Sequence, residues 1–385
     1  MDHAATTPLD ERVLEAMLPY LKEHFGNASS VHARGRKARF AVEASRERIA
    51  GLIGAEPGEI VFTSGGTEAD NLAVKGVLQQ RQQQQGARGH LITSAAEHEA
   101  VLRPAEALSD AGWPVTILDP GPHGAVTPHQ VTEALRPDTV LVSLMHANNE
   151  TGVLTPIEEI AAVCRKHDVL LHCDAVQTAG LLPLNVNDLG VDLLSISGHK
   201  FYGPKGIGVL YVRGGVDLDP LVEGGSQERK RRGGTENVAA VVGCAEALAL
   251  AVDEAAARAE RIRRLQRRLT HGLQDRLGHA MQLNTPLDDA PVAPHIVNLS
   301  FPPHEEQPMD GEMLLLNLDM QGVHASAGSA CTSGALEPSH VLSALGLPRA
   351  TASAAARFSL GKDTTEEEVD YVIETLDTVV QRMRR

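Results

Sequence analysis

The chain has 385 residues, 42% of them hydrophobic, which is length and apolar content for two cores, and its formal net charge of −15 argues against a surface built to bind nucleic-acid phosphates. Its four cysteines, at 164, 173, 244 and 331, lack the spacing of a zinc knuckle or a redox dithiol, so neither a metal site nor a disulfide framework is expected. No signal-peptide pattern and no apolar run of bilayer length occurs, and a cytoplasmic protein without membrane association is the expectation.

From about residue 40 to 250, helical periodicity alternates with short runs rich in β-formers: 59–62, 90–93, 114–118, 140–144, 169–171, 193–196 and 208–212. Runs this apolar on both faces, separated by helices, predict a mostly parallel α/β sheet of seven strands covered on each side. Binding groups should then gather beyond the strands' carboxyl ends. Gln82 to Gln85 reads as an exposed helix end or loop, and the basic run Arg229-Lys-Arg-Arg232 as a loop near an anionic small molecule or a solvated face. From about residue 251 the texture changes to an alanine- and arginine-rich helix, Ala251 to Leu277, followed by mixed patterns. The predicted organisation is a large domain over 10–258 and a smaller α+β domain over 259–385, with residues 1–9 packing against the smaller one.

Chemistry concentrates at the predicted strand ends. Lys200 closes one run and Asp174 closes the run before it. An amine beside an acid suits pyridoxal 5'-phosphate (PLP), the amine for its aldehyde and the acid for its ring nitrogen. Strand 60–62 runs into Thr63-Ser-Gly-Gly-Thr67 and a helix start, a place for a phosphate, to which Ser197 and His199 add a hydroxyl and an imidazole. His98, after strand 90–93, suits either stacking on a planar ring or a solvated helix start. Asn149 and Gln177 follow strands and suit either hydrogen bonds to a ligand or ordinary turns. Cys331 lies in a stretch of small residues without core periodicity, where a thiol is free to act as a nucleophile, whereas Cys164, Cys173 and Cys244 fall in apolar patterns. Arg357, alone in an apolar strand-like run, wants a carboxylate, structural or from an amino-acid substrate.

Ordered motifs run through nearly the whole chain: Asp2-His-Ala-Ala-Thr-Thr-Pro8, Phe25-Gly-Asn27, Thr63-Ser-Gly-Gly-Thr-Glu68, Asn148-Asn-Glu150, His172-Cys-Asp-Ala-Val-Gln177, Ser197-Gly-His-Lys200, Arg232-Gly-Gly-Thr-Glu-Asn237, Ser329-Ala-Cys-Thr-Ser333 and Arg357-Phe-Ser-Leu-Gly361. Together they resemble the cysteine desulfurases, the NifS- and IscS-like branch of the class V aminotransferase superfamily. That resemblance implies PLP-enzyme fold type I, with Lys200 as the Schiff-base lysine, His98 on the ring, Asp174 at its nitrogen, and Asn149 with Gln177 at its phenolic oxygen. Gly66, Thr67, Ser197 and His199 would hold the phosphate, joined by Thr235 from a partner subunit of a homodimer. Asn27, Asn149 and Arg357 would take the carboxylate of L-cysteine, and Cys331 the sulfur, for delivery to an iron–sulfur scaffold or a tRNA-thiolation protein, with Cys331 a cluster ligand only in transfer. Selenocysteine lyase, cysteine-sulfinate desulfinase, transaminase and a non-catalytic sulfur-relay subunit are the rival readings.

Overall fold

The computed structural model describes residues 1–121, 123–327 and 338–384. Strands β1 (Ile60–Thr63), β2 (His90–Ser94), β3 (Val115–Leu118), β4 (Thr139–Met145), β5 (Leu170–Asp174), β6 (Leu193–Ser197) and β7 (Gly208–Val212) form one sheet in the order β1-β7-β6-β5-β4-β2-β3. Neighbours from β6 through β3 are parallel, as expected from their helical crossovers. The reversed strand is β7, antiparallel to both β1 and β6, because residues 198–207 leave no length for a crossover helix. Six strands therefore point their carboxyl ends to one side. The apolar runs match this placement: β1, β2, β6 and β7 are buried throughout, while β3 at the edge is half-exposed.

Helices cover both faces. One face packs Ile49, Leu171, Ile196 and Leu248, and the other packs Leu72, Leu91, Leu141 and Leu210. A separate core gathers on a three-stranded antiparallel sheet of β8 (Gln282–Leu283), β9 (Ile296–Ser300) and β10 (Ala355–Ser359), with Leu269, Phe301, Phe358 and Leu376 inside it. The first residues join both bodies: Asp2 bridges Ser359, and Thr7 Oγ1 donates to the His199 carbonyl at 2.9 Å.

One expectation needs correction. The helix expected from Ala251 begins at Val238 and runs unbroken to Leu277, capped by Asn237, whose side chain accepts from Ala240 N at 3.2 Å. Its alanine-rich half packs in the first core and its leucine-bearing half in the second, so the change in composition marks a change of neighbours within one helix. Of the two readings of the basic run, the one that puts it at a small molecule is not realised in the cavity described below, and the solvated face is seen in part. Arg232 pairs with Glu68 at 2.9 Å, Arg229 and Lys230 are solvated, and the adjoining Glu228 is buried against Arg46 with two contacts of 2.8 Å. Among the described residues, no helix is long and apolar enough to cross a membrane.

Candidate active site

At the carboxyl ends of the strands lies a cavity of about 270 Å³ lined by Gly66, Thr67, Asp70, His98, Asn149, Asp174, Gln177, Ser197, His199 and Lys200, with Ala5, Met145, Ala147 and Val176. Each group is delivered by a strand end. β1 leads into the helix starting at Gly66, β2 to His98, β4 to Asn149, β5 to Asp174 and Gln177, and β6 to Ser197, His199 and Lys200. Gly66 is required by packing. A Cβ there would meet Val176 Cγ2 at 2.9 Å and Ser197 Cβ at 3.4 Å, so only glycine lets this turn sit against β5 and β6.

Lys200 Nζ donates to the carbonyls of Ala4 and Ala5, the latter at 3.0 Å. Burial, reinforced by Arg357, lowers its pKa to about 8 despite the attraction of Asp174 and Asp2. Asp174 is 6% exposed; burial pushes its carboxyl up, against the pull of His98, Lys200 and a 2.9 Å bond from Val176 N. His98 lines the cavity and also caps a helix, its Nδ1 accepting from Ala100 N at 3.1 Å. Burial lowers its pKa, with Asp174 opposing. His199 is held by Thr6 Oγ1 at 3.1 Å and lowered to about 4, first by burial and then by Lys200 and Lys205. Gln177 Nε2 donates to the Ala4 carbonyl at 3.0 Å.

Three expected residues, Arg357, Asn27 and Thr235, are not among those lining this cavity. Arg357 is buried, but its guanidinium donates to Asp2 Oδ1 at 3.0 Å and to the Asn149 carbonyl at 2.8 Å, leaving Nε without a partner among the described residues. A structural acid thus satisfies the lone cation. Asn27 is exposed and its side chain accepts from Ser29 N at 2.8 Å; Thr235 is exposed as well. Cys331 lies outside the described residues. The described chain on either side of it is tied to the site's surroundings: Ser326 and Arg357 exchange backbone hydrogen bonds of 3.2 and 2.7 Å, and His340 Nε2 meets the Glu97 carbonyl at 2.8 Å. The other three cysteines are buried, and burial pushes the thiols of Cys164 and Cys244 up to about 12.

Sequence reasoning missed Asp70. This carboxyl is 1% exposed, lines the cavity, lies 3.6 Å from His172 Nε2, and leaves Oδ1 without a hydrogen bond among the described residues. Burial first, then the charge of Asp174, pushes its pKa well up. A signal existed, because Asp70 follows Thr67 by three residues on a helix and therefore shares its face.

Residues 1–372 match the family model described as Aminotransferase class-V. The chain belongs to that family. It is 47% identical to a cysteine desulfurase IscS of Dictyoglomus turgidum over 385 residues, covering 100% of this chain and 95% of the relative. Among solved structures it resembles a NifS-like protein, with a TM-score of 0.90, 37% identity, and coverage of 99% of this chain and 98% of the other. A structure of SspA in complex with cysteine matches with a TM-score of 0.80 and 38% identity over 93% of this chain and 97% of that one. The class V family and its NifS-like structures agree with the fold read from the strand pattern.

Proposed function

We propose that the protein is a cysteine desulfurase that uses PLP to convert L-cysteine to L-alanine, with Cys331 receiving the sulfur as a persulfide and passing it to an acceptor protein. The observation that carries this reading is a half-buried lysine amine, depressed to about 8, in one cavity with a buried strand-end aspartate. The names of its relatives and the cysteine bound by SspA support the substrate. The donor set fits PLP: Thr67, Ser197 and His199 offer donors for a phosphate, Asp174 a carboxyl for a ring nitrogen, and Lys200 an amine for an aldehyde. Asn149 Oδ1 is buried there without a partner among the described residues.

Bound PLP supplies an aldehyde for amines and a ring that withdraws electrons from the substrate α-carbon. Lys200, neutral above about pH 8, serves as nucleophile toward that aldehyde and, once free, as the base that moves the α-proton. Asp174 holds a proton on the ring nitrogen. His98, which lines the cavity, would cover one face of the ring and exclude water from it. Arg357, tied to the backbone of the cavity residue Asn149, would take the substrate carboxylate. Thiolate Cys331 attacks the substrate sulfur, forming an S–S bond as the substrate's Cβ–S bond breaks and leaves its electron pair on the carbon skeleton, which takes up a proton to give alanine. Thr235 acts in this scheme across a homodimer interface, which the exposure of Phe25 (67%), Val31 (85%) and Phe40 (75%) supports, and Asn27 adds to the binding of the substrate carboxylate.

Replacing Cys331 by alanine should retain the visible absorbance of bound PLP and abolish sulfide release from cysteine, read by a methylene-blue assay. Replacing Lys200 by alanine should leave PLP bound without a borohydride-trappable bond and stop turnover. Unchanged sulfide release in the Cys331→Ala protein would refute the persulfide step and favour a lyase or desulfinase chemistry.

A further inference from the structure

Gln177 is held from two sides. Its Nε2 donates to the Ala4 carbonyl at 3.0 Å, and its Oε1 lies 3.3 Å from Nε2 of His295. An amide oxygen facing an imidazole nitrogen requires that nitrogen to carry the proton. His295 is 7% exposed, and burial together with Arg357, Lys200 and His3, all facing it, lowers its pKa to about 3. The ring is therefore neutral at ordinary pH and has one proton to place, which the Gln177 contact puts on Nε2. Its Nδ1 is then an acceptor, and it has no partner among the described residues. Beside it, a side cavity of about 30 Å³ lined by His3, Gln177, Lys200, Tyr202, Arg258 and His295 has room for a water to satisfy that nitrogen.

This histidine comes from the second body. It immediately precedes β9, and its carbonyl accepts from Leu360 N at 2.8 Å, so the small sheet fixes its place. The Ala4 carbonyl favours the same orientation of Gln177, but it also accepts from Lys200. Among the described residues only the imidazole addresses Oε1.

We infer that His295 is a positioning residue for Gln177: by donating to Oε1 it keeps the carboxamide NH2 turned toward the cofactor cavity, so that the ring oxygen of PLP meets a donor there. The inference rests on the PLP reading above. A donor to that oxygen stabilises its anion and draws electrons from the conjugated nitrogen, so the visible band of bound PLP gives way at a lower pH than it would without the donor.

The test titrates that band with pH. His295→Leu should raise its midpoint by about one pH unit, the size of one hydrogen bond to a charged group. His295→Gln, which keeps an N–H donor, should return the midpoint close to wild type, and in a Gln177→Leu background His295→Leu should add no shift. An unchanged midpoint in His295→Leu, or an equal shift without Gln177, overturns the inference. A second arm needs no cofactor. Nitrogen-15 spectra of the ligand-free wild-type protein labelled at histidine should show His295 protonated on Nε2, and a proton on Nδ1 overturns the inference. A wild-type protein that shows no visible band on adding PLP overturns the PLP reading instead, and the nitrogen-15 arm still decides the orientation.

Discussion

The Lys200 amine gains its chemistry from what surrounds it. Removing an ammonium from water lowers its pKa from the ordinary 10.5, Arg357 adds to the effect, and Asp174 and Asp2 recover only part of it, leaving about 8. The attacking form is the neutral amine. Its population rises about tenfold per pH unit below the pKa and levels off above it. The rate of covalent PLP uptake by the ligand-free protein, followed by stopped-flow absorbance, should therefore climb with pH and plateau with a midpoint near 8. A plateau reached only above pH 10 would show that the amine is not desolvated in this way. Lys200, Asp174 and His98 were legible because each follows a strand at short range, and parallel strands gather their ends without further information. Asp70 was missed, although its three-residue spacing from Thr67 puts the two on one helix face. His295 was not legible: its partner Gln177 is 118 positions away, and nothing local to either residue marks the pair.

Between residues and whole chain, the elements depend on a few buried polar ties. Glu228, with φ of 45°, accepts from both terminal nitrogens of Arg46 and from Phe62 N at 2.9 Å, while Arg46 also donates to the Ile60 carbonyl at 2.8 Å and lies over the Phe62 ring at 4.8 Å. A segment that reads as a basic loop is thus fastened to β1, the strand that leads into Gly66. The side chains are 5% and 3% exposed, so breaking the pair leaves a charge in the interior. Glu228→Ala should destabilise the protein by about 3–5 kcal/mol, measured by chemical denaturation. Arg46→Met combined with Glu228→Leu should recover much of that loss. A Glu228→Ala protein as stable as wild type would show the pair to be solvated. Sequence patterning found the sheet because buried strands are read from their apolar runs. It did not find this tie, because an acid beside a basic run carries no sign of which arginine it will meet.

For the molecule as a whole, the cavity of one chain draws on neither Asn27 nor Thr235, although the motifs that contain them match the family pattern. Both are exposed, and Phe25, Val31 and Phe40 present apolar surface in the same part of the chain as Asn27. Phe40→Asp should shift the protein from dimer to monomer in analytical ultracentrifugation and weaken PLP retention at least tenfold, since about 1.4 kcal/mol of lost contact suffices for that change. A Phe40→Asp protein that sediments as wild type would remove this surface from the interface. The uninterrupted helix Val238–Leu277 was not legible from composition, because periodicity does not report a change of neighbours. Asp2 and Arg357, finally, are 355 positions apart, and the carbonyl of Ala4 beneath Lys200 belongs to the same opening segment. The ribosome delivers that segment long before its anchoring strand, so a nascent chain can assemble the large sheet while the floor under the reactive amine stays unmade. The site is therefore completed only once the strand bearing Arg357 has been synthesised.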